Sequence, residues 1–333
     1  MKKRIHPVKS PLPRGAAEPQ FNRVKIIFIG TPEFGLPSLR ALSADTDFKI
    51  LAVISQPDRP VGRSHKTVAP AIKQEALKLG LKILQPEKIR ELTEEIKKMS
   101  PDIIVVIAYA QIIPEEILNL PKYGCINIHG SLLPKYRGAS VIQAAIMNND
   151  RETGITIMKM DKTLDTGPLI YQAKTLIAPT ETSETLSDKL ALLGGEVIGS
   201  SLKAYIAGKL KPLPQNNAQA SYVPVLKKGD GQLDWNKPAE ELERIIRAMQ
   251  PWPGSYAKIK ESGEILKIAK VAPHFFELND QPVGKIFHYK NKLTVQTGRD
   301  TLIIERLQLA GKKEISADEF LNGHREILGA TLT

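Results

Sequence analysis

The chain has 333 residues, more than one hydrophobic core usually holds, so its length predicts two domains. With 42% hydrophobic and 25% charged residues it has the composition of a soluble globular protein, and no apolar run approaches the roughly 18 residues that span a bilayer, which excludes an integral membrane protein. The formal net charge of +11 favours an anionic partner such as nucleic acid or a phosphorylated ligand, although a solvated surface gives the same count.

The N-terminal segment and the cysteine content indicate the compartment. Residues 1–22 are basic and rich in proline, and they lack the apolar stretch of about 7–15 residues found in a secretory signal. We interpret them as a disordered extension or as the product of an early start codon. Cys125 is the only cysteine, so neither an internal disulfide nor a cysteine-based zinc site is available, which fits a reducing cytoplasm. Because Cys125 lies inside an apolar run, a packed thiol is a better interpretation than a nucleophile.

The first two hundred residues alternate short apolar runs with helical patterns. Such runs are typical of parallel strands buried on both faces, and their alternation with helices predicts a doubly wound, mostly parallel, Rossmann-like α/β domain. The predicted strands are Val24–Gly30, Lys49–Ser55, Asp102–Ala108, Cys125–His129, Gly154–Met160 and Leu169–Leu176. The predicted helices are Pro37–Ala44, Pro70–Leu79, Lys88–Met99, Ala139–Asn148 and Ser183–Ala207.

The sequence pattern changes after residue 210. Residues 211–224 are rich in Pro, Asn and Gln and have no periodicity, which is typical of a linker. Beyond them, one helix (Ala239–Met249) precedes several short strands with turn signals, which predicts a second, smaller, OB-like β-barrel domain. These strands are Ser255–Ile259, Ile265–Val271, Gly284–Tyr289, Lys292–Thr297 and Thr301–Leu309. The predicted division is an extension (1–22), an α/β domain (23–210), a linker (211–224) and a β-barrel domain (225–333).

The end of the predicted strand Cys125–His129 carries the residues best suited to catalysis. Side chains alternate along a strand, so Asn127 and His129 share one face, and Gly130 follows them. In an open α/β sheet, ligands bind beyond the carboxyl ends of the strands. There, an amide can donate to a developing oxyanion and an imidazole can donate to it or shuttle protons. An equally open interpretation is that both side chains only satisfy loop backbone groups.

A turn with an acidic residue, Thr163–Pro168, lies between two predicted strands. Its Asp165 is a candidate to orient His129 and to stabilise the charged imidazole. An Asx-turn role for Asp165 is equally open. Asp-Thr-Gly also occurs in aspartic proteases, but those enzymes need two such aspartates in a β fold, which this α/β chain does not offer.

Two more loops follow predicted strands at the same edge of the sheet. Gly30–Gly35 departs from the dinucleotide motif G-x-G-x-x-G, because Pro32 and Glu33 stand where a pyrophosphate needs bare backbone and no negative charge. A nicotinamide enzyme is therefore disfavoured. Gln56–Lys66 combines prolines, a glycine and several cations, and we predict a mobile basic loop able to grip phosphate or a nucleotide end. A solvated surface loop is an equally open interpretation.

Together these motifs resemble the methionyl-tRNA formyltransferases of the folate-dependent formyltransferase superfamily, over essentially everything from Val24 onward. The Asn–His–Asp set with Ser-Leu-Leu-Pro is specific to that superfamily, which includes glycinamide ribonucleotide and nucleotide-sugar formyltransferases, so the set does not define the acceptor. The basic-loop motif and the second domain favour tRNA. The matching segments are Gly30–Phe34, Gln56–Pro60, Gly62–Arg63, Val106–Tyr109, Gly124–Gly138, Gly154–Gly167 and Pro251–Pro253.

The resemblance implies that Asn127, His129 and Asp165 are catalytic, with 10-formyltetrahydrofolate as the cosubstrate. No metal is expected, because the formyl amide is already activated and no His/Asp cluster has ligand spacing. The residues that the resemblance implies for folate contact are Ser131, Leu132, Leu133 and Pro134.

The resemblance also implies that the basic loop, with Arg59, Arg63 and Lys66, engages the acceptor end of initiator methionyl-tRNA and that the C-terminal domain binds the acceptor arm. Family members often read Gly-Arg-Gly-Lys-Lys where this chain has 62–66 as Gly-Arg-Ser-His-Lys, so one cation is replaced by a titratable histidine. We expect a cytoplasmic monomer that does not associate with membranes.

Two rival hypotheses stay open at this point. A nucleotide-sugar formyltransferase would keep the same catalytic set and folate loop and change only the acceptor site. A non-enzymatic tRNA-binding protein would leave the Asn–His–Asp set without a purpose.

Overall fold

The computed structural model describes residues 23–61, 66–272 and 276–333, so the predicted extension of residues 1–22 lies outside the described ranges. No helix within those ranges has the length and apolar character needed to cross a bilayer. The N-terminal part contains, in chain order, β1 (Val24–Gly30), α1 (Leu36–Ala44), β2 (Phe48–Ile54), β3 (Arg59–Val61), β4 (Lys66–Val68), α2 (Ala71–Lys78), β5 (Ile83–Leu84), α3 (Thr93–Met99), β6 (Ile103–Ile107), α4 (Glu115–Leu118), β7 (Cys125–His129), β8 (Arg137–Gly138), α5 (Val141–Met147), β9 (Glu152–Lys159), β10 (Leu169–Leu176), α6 (Ser183–Ile206) and β11 (Tyr222–Val223).

Seven of these strands form one sheet in the order β10-β9-β7-β6-β1-β2-β5. The pairs from β7 to β5 are parallel, whereas β9 runs antiparallel to both β7 and β10. The strand order reverses between β1 and β6, and the carboxyl ends of these strands border the crevice where ligands bind in such sheets. A Cβ at Gly30 would lie 2.8 Å from the carbonyl oxygen of Ile107, so the close approach of the two strand ends requires glycine there.

Helices cover both faces of the sheet. On one face, Leu39 of α1 and Leu190 of α6 join the largest apolar core, and on the other face Ile96 of α3 and Ile117 of α4 pack on Ile104 of β6. Strands buried on both sides explain the nearly all-apolar runs in the sequence. The predicted doubly wound, mostly parallel α/β architecture is confirmed.

The C-terminal part contains α7 (Ala239–Ala248), β12 (Ser255–Lys258), β13 (Ile265–Val271), β14 (Ile286–Tyr289), β15 (Lys292–Gln296), β16 (Thr301–Leu309), β17 (Ile315–Ser316) and α8 (Ala317–Gly323). Its strands form a separate antiparallel sheet in the order β12-β13-β16-β15-β14, with β17 on β16. The chain end closes this sheet into a barrel, because Lys258 N donates to Thr333 O at 2.8 Å and Ile286 N donates to Ala330 O at 2.9 Å. The predicted second, smaller β-barrel domain is confirmed.

Helix α7 connects the two parts. Its Leu242 and Ile246 belong to the barrel core, whereas Ala248 at its end belongs to the core of the larger sheet. The Nη1 of Arg247 donates to the carbonyl oxygen of Glu181 at 2.8 Å, just before α6. The barrel is therefore attached to the α/β part by apolar packing as well as by chain connectivity.

Local differences from the predicted elements have simple causes. The predicted helix Lys88–Met99 begins only at Thr93, because Ile89–Leu92 form a 3₁₀ turn. The short strand β5 was not predicted, since two residues show no periodicity. Helix α8 was also not predicted, although Ser316 and Glu319 form a capping box at its start.

Candidate active site

Asn127 and His129 lie on β7, at the edge predicted from the sequence. His129 is 7% exposed, and its Nε2 lies 2.8 Å from the carbonyl oxygen of Tyr136. Because a carbonyl oxygen can only accept a hydrogen bond, Nε2 of His129 carries a proton and donates it to this contact. The other ring nitrogen, Nδ1, points away from Tyr136. Asn127 is half-buried, and among the described residues none forms a hydrogen bond with its side-chain amide. The described part of the chain therefore leaves its N–H groups available to a ligand.

Asp165 reaches His129 from the far end of the strand. The loop that carries it leaves β9 beside the start of β7, where Met160 N donates to Cys125 O at 2.8 Å. The loop then folds back, so that Oδ2 of Asp165 lies 3.7 Å from Nδ1 of His129, an ion-pair distance rather than a hydrogen bond. Both side chains are at least nine-tenths buried. The structure thus brings together the imidazole and the carboxylate of the predicted catalytic set.

A backbone donor holds the Asp165 carboxylate in this position. The N–H of Gly138 donates to the same Oδ2 at 2.8 Å. Asp165 itself has a φ of 54°, in the left-handed region that non-glycine residues rarely adopt. Such a conformation persists only when the surrounding structure determines it, and strained residues of this kind cluster at functional sites.

The predicted folate-contacting segment 131–134 forms a strap next to this pair. Ser131 and Leu133 are buried, whereas Leu132 and Pro134 are half-buried. The strap is tied to the sheet by a fully buried Thr156 of β9, whose hydroxyl donates to Ser131 O at 2.6 Å and accepts from Leu133 N at 3.1 Å. Leu132 and Pro134 are therefore the side chains of the strap placed to touch a ligand.

The sequence analysis did not identify Thr156 or its partner Gln172 on β10. The amide Nε2 of Gln172 donates to Leu133 O at 2.8 Å and to the hydroxyl of Thr156 at 2.9 Å. Both residues lie on strands that were predicted correctly, but a threonine and a glutamine in a strand carry no local signal of function.

The predicted basic loop is in part a hairpin. Strands β3 and β4 are antiparallel partners, with Arg59 opposite Val68. Arg59 forms an exposed ion pair with Glu87 at 3.1 Å. Arg63 lies outside the described residues, and for Lys66 only the backbone, in β4, is described.

The base of this hairpin is firmly anchored. The Nζ of Lys73 donates to both carboxylate oxygens of Asp58 at 2.9 and 2.8 Å, and Gln85 donates to Oδ1 at 2.8 Å. These two donors hold the pKa of the Asp58 carboxyl below its usual value. Gln56 is fixed as well, because its Nε2 donates to the carbonyl oxygen of Tyr109 at 2.9 Å. The hairpin therefore begins from a fixed point at the carboxyl edge of the sheet.

Cys125 is 1% exposed, and burial raises the pKa of its thiol to about 12. At neutral pH the thiol is protonated and inaccessible, so it is not a nucleophile. This burial agrees with the interpretation of a packed thiol.

Comparison with known proteins gives matches along nearly the whole chain. Residues 23–202 match the family described as formyl transferase, and residues 225–325 match the formyl transferase C-terminal domain. A methionyl-tRNA formyltransferase of Caldanaerobacter subterraneus is 44% identical over 306 residues, which are 90% of this chain and 97% of that protein. Another from Myxococcus xanthus is 42% identical over 306 residues, covering 91% of this chain and 96% of the relative.

Among solved structures, the sugar 3N-formyl transferase WlaRD, crystallised with dTDP and 5-N-formyl-THF, superposes with a TM-score of 0.62. The superposition covers 88% of this chain and 100% of that chain at 22% identity, so it demonstrates a shared fold and no more. The two family matches cover well over half of the sequence, and both relatives exceed 40% identity over nine-tenths of it. The chain therefore belongs to the formyl transferase family, within its group of methionyl-tRNA formyltransferases.

Proposed function

We propose that this protein transfers the formyl group of 10-formyltetrahydrofolate to the free amino group of methionyl-tRNA, producing N-formylmethionyl-tRNA for translation initiation. The observation that carries the proposal is the buried His129–Asp165 pair, 3.7 Å apart, together with the amide of Asn127, which lies on the same strand as His129. Relatives named for this activity share 42–44% of their residues with the chain over nearly their full length, which supports methionyl-tRNA as the acceptor.

The proposed chemistry is direct acyl transfer without a covalent enzyme intermediate. The neutral amine attacks the formyl carbon, a C–N bond forms, and the carbonyl oxygen becomes an oxyanion. The side-chain amide of Asn127 donates to that oxygen. The bond between the formyl carbon and N10 of the folate then breaks, and the proton lost by the amine ends on N10. Tetrahydrofolate leaves, and the formylated aminoacyl-tRNA remains.

His129 has a second role in this scheme. In the free protein its Nε2–H donates to Tyr136, so its use as a donor to the oxyanion requires exchange of that hydrogen bond. Hydrogen bonds of catalytic groups often rearrange when the substrate binds. Asp165 faces the opposite nitrogen and balances the charge of the imidazolium while a proton is in transit.

The folate would lie against the strap 131–134, with Leu132 and Pro134 in contact and the backbone held by Thr156. The tRNA acceptor end would meet the hairpin that carries Arg59, and the C-terminal barrel, residues 225–333, would hold the acceptor arm. The division at residues 23–210, 211–224 and 225–333, a monomeric state and a cytoplasmic location are parts of this proposal.

A formyl-transfer assay with competing acceptors tests the proposed function. The purified chain is given labelled 10-formyltetrahydrofolate, charged methionyl-tRNA and an amino-sugar nucleotide in one mixture. We expect label on methionyl-tRNA and none on the sugar, and no label on uncharged tRNA in a parallel reaction. Label on the sugar alone would identify a nucleotide-sugar formyltransferase, and no turnover with either acceptor would leave a non-enzymatic tRNA-binding protein.

Arg59→Ala is expected to weaken methionyl-tRNA binding by removing one phosphate contact. The slope of log affinity against log salt concentration should fall in magnitude by about 0.7–0.9, because the variant contacts one phosphate fewer and its binding therefore releases fewer counterions. Glu87→Gln, which frees Arg59 from its ion pair, should leave binding equal or tighter. Binding is measured by titration of labelled methionyl-tRNA between about 50 and 200 mM salt.

The matched control for this prediction is Lys82→Ala. Lys82 is also exposed and ion-paired, with Glu95 at 2.6 Å, but it lies outside the hairpin, immediately before β5. Its loss should leave the salt slope unchanged. An Arg59→Ala variant with the affinity and slope of the wild type would remove Arg59 from the tRNA site.

A further inference from the structure

A buried arginine lies next in sequence to the glycine that holds the Asp165 carboxylate. Arg137 is 2% exposed and immediately precedes Gly138, whose N–H binds Asp165. Its guanidinium donates to uncharged oxygens: Tyr222 OH at 2.8 Å and Asn217 Oδ1 at 2.7 Å. Burying a guanidinium costs free energy unless its N–H groups have acceptors. Arg137 therefore holds its acceptor oxygens in place.

The third partner of Arg137 is Gln215, which links it to the loop of Asp165. The Oε1 of Gln215 accepts from Nε and Nη2 of Arg137 at 3.1 and 2.8 Å. Its Nε2 donates to the backbone carbonyl oxygens of Asp165 and Gly167, both at 2.8 Å. One amide thus joins a buried cation to the backbone of the residue that faces His129.

The segment that carries Gln215 is pinned at its other end to the same place. Strand β11 pairs with β8, with Tyr222 opposite Arg137 and Val223 opposite Gly138. Gly138 has a φ of 104°, and a Cβ there would lie 2.2 Å from the carbonyl oxygen of Val223. The predicted linker therefore packs tightly against β8, the strand whose Gly138 N–H binds Asp165.

From these contacts we propose that Gln215 is a positioning residue for formyl transfer, which holds the Asp165 loop in its strained conformation and is itself held by Arg137. The inference rests on the proposed function, because Asp165 has its role only in that reaction. A displacement of about 1 Å among catalytic groups can lower the rate about 100-fold, so loss of the hydrogen bonds from Gln215 to the Asp165 loop should lower kcat measurably.

Gln215→Glu keeps the hydrogen bonds from Arg137 and removes those to the Asp165 loop. A carboxylate keeps the acceptor for Arg137, so the fold is expected to keep its stability. It has no N–H for the carbonyls of Asp165 and Gly167, so the loop is released. We expect kcat for methionyl-tRNA to fall by about 10- to 100-fold, with KM for folate and for tRNA within about threefold of the wild type and the melting temperature unchanged.

Two further variants keep the test sharp. Gln219→Glu makes the same charge change at an exposed site four residues along the segment, and it should behave like the wild type. Gln215→Asn keeps both amide functions on a side chain one methylene shorter, and it should show a smaller loss of kcat. If the glutamate variant folds poorly, the asparagine variant carries the test.

A double-mutant cycle with Asp165→Asn decides whether Gln215 acts through Asp165. In the Asp165→Asn enzyme, Gln215→Glu should lower kcat by less than about a further threefold, because the carboxylate that Gln215 positions is already lost. A wild-type kcat for Gln215→Glu, or full multiplication of the two losses, would overturn the inference while leaving the proposed function intact. An Asp165→Asn enzyme with normal activity would instead remove the catalytic role proposed for Asp165.

Discussion

Asn127→Ala is expected to lower kcat for methionyl-tRNA formylation by about 10²–10³, the usual effect of losing one oxyanion donor. The physical reason is that Asn127 has the only amide of the predicted catalytic set, and among the described residues nothing else engages it. The donor is therefore available to the transition state without giving up another bond. Single-turnover formyl transfer measures the chemical step directly.

The fold of this variant should remain intact, because the truncated side chain is half-buried and its polar atoms have no partner among the described residues. Asn127→Asp, which keeps the size but places a carboxylate near the oxyanion, should lose at least as much activity. Asn119→Ala, at an exposed position after α4, is the matched control and should be neutral. An Asn127→Ala enzyme with near-normal single-turnover rates would refute the assignment of this donor.

Asp165→Asn is expected to lower kcat by about 10²–10⁴, the range typical of losing a group that supports proton transfer. The amide oxygen of asparagine can still accept from Gly138 N, so the loop should keep its place. What disappears is the negative charge 3.7 Å from Nδ1 of His129, which balances the imidazolium. The variant isolates charge from geometry.

Both the activity and the folding of the Asp165→Asn variant are compared with those of the wild type. Circular dichroism and thermal melting should match the wild type, while KM for the folate should change little. Asp188→Asn, an exposed site on α6, removes the same charge far along the chain and should be silent. If Asp165→Asn turned over methionyl-tRNA at the wild-type rate, the contact between Asp165 and His129 would have a structural role only.

Local sequence patterns determined the elements that carry the site. The apolar run Cys125–His129 predicted a buried strand, and the two-residue period of side chains along a strand placed Asn127 and His129 on one face. The Gly30–Gly35 loop is unsuited to a dinucleotide for an equally local reason, because Pro32 and Glu33 stand where a pyrophosphate needs bare backbone and no negative charge. Periodicity, chain alternation and residue chemistry act over a few residues, and they can be read directly from the sequence.

Only the tertiary structure decided which distant residues meet. The loop of Asp165 starts at the opposite end of β7, and its return to His129 depends on backbone donors at Gly138 and amide donors from Gln215, separated from it by 27 and 50 positions. The sequence alone described residues 211–224 as a linker, because Pro, Asn and Gln without a period have no local preference for structure. Their role arises from hydrogen bonds to a buried arginine and to a loop, and such long-range pairings leave no trace in local periodicity.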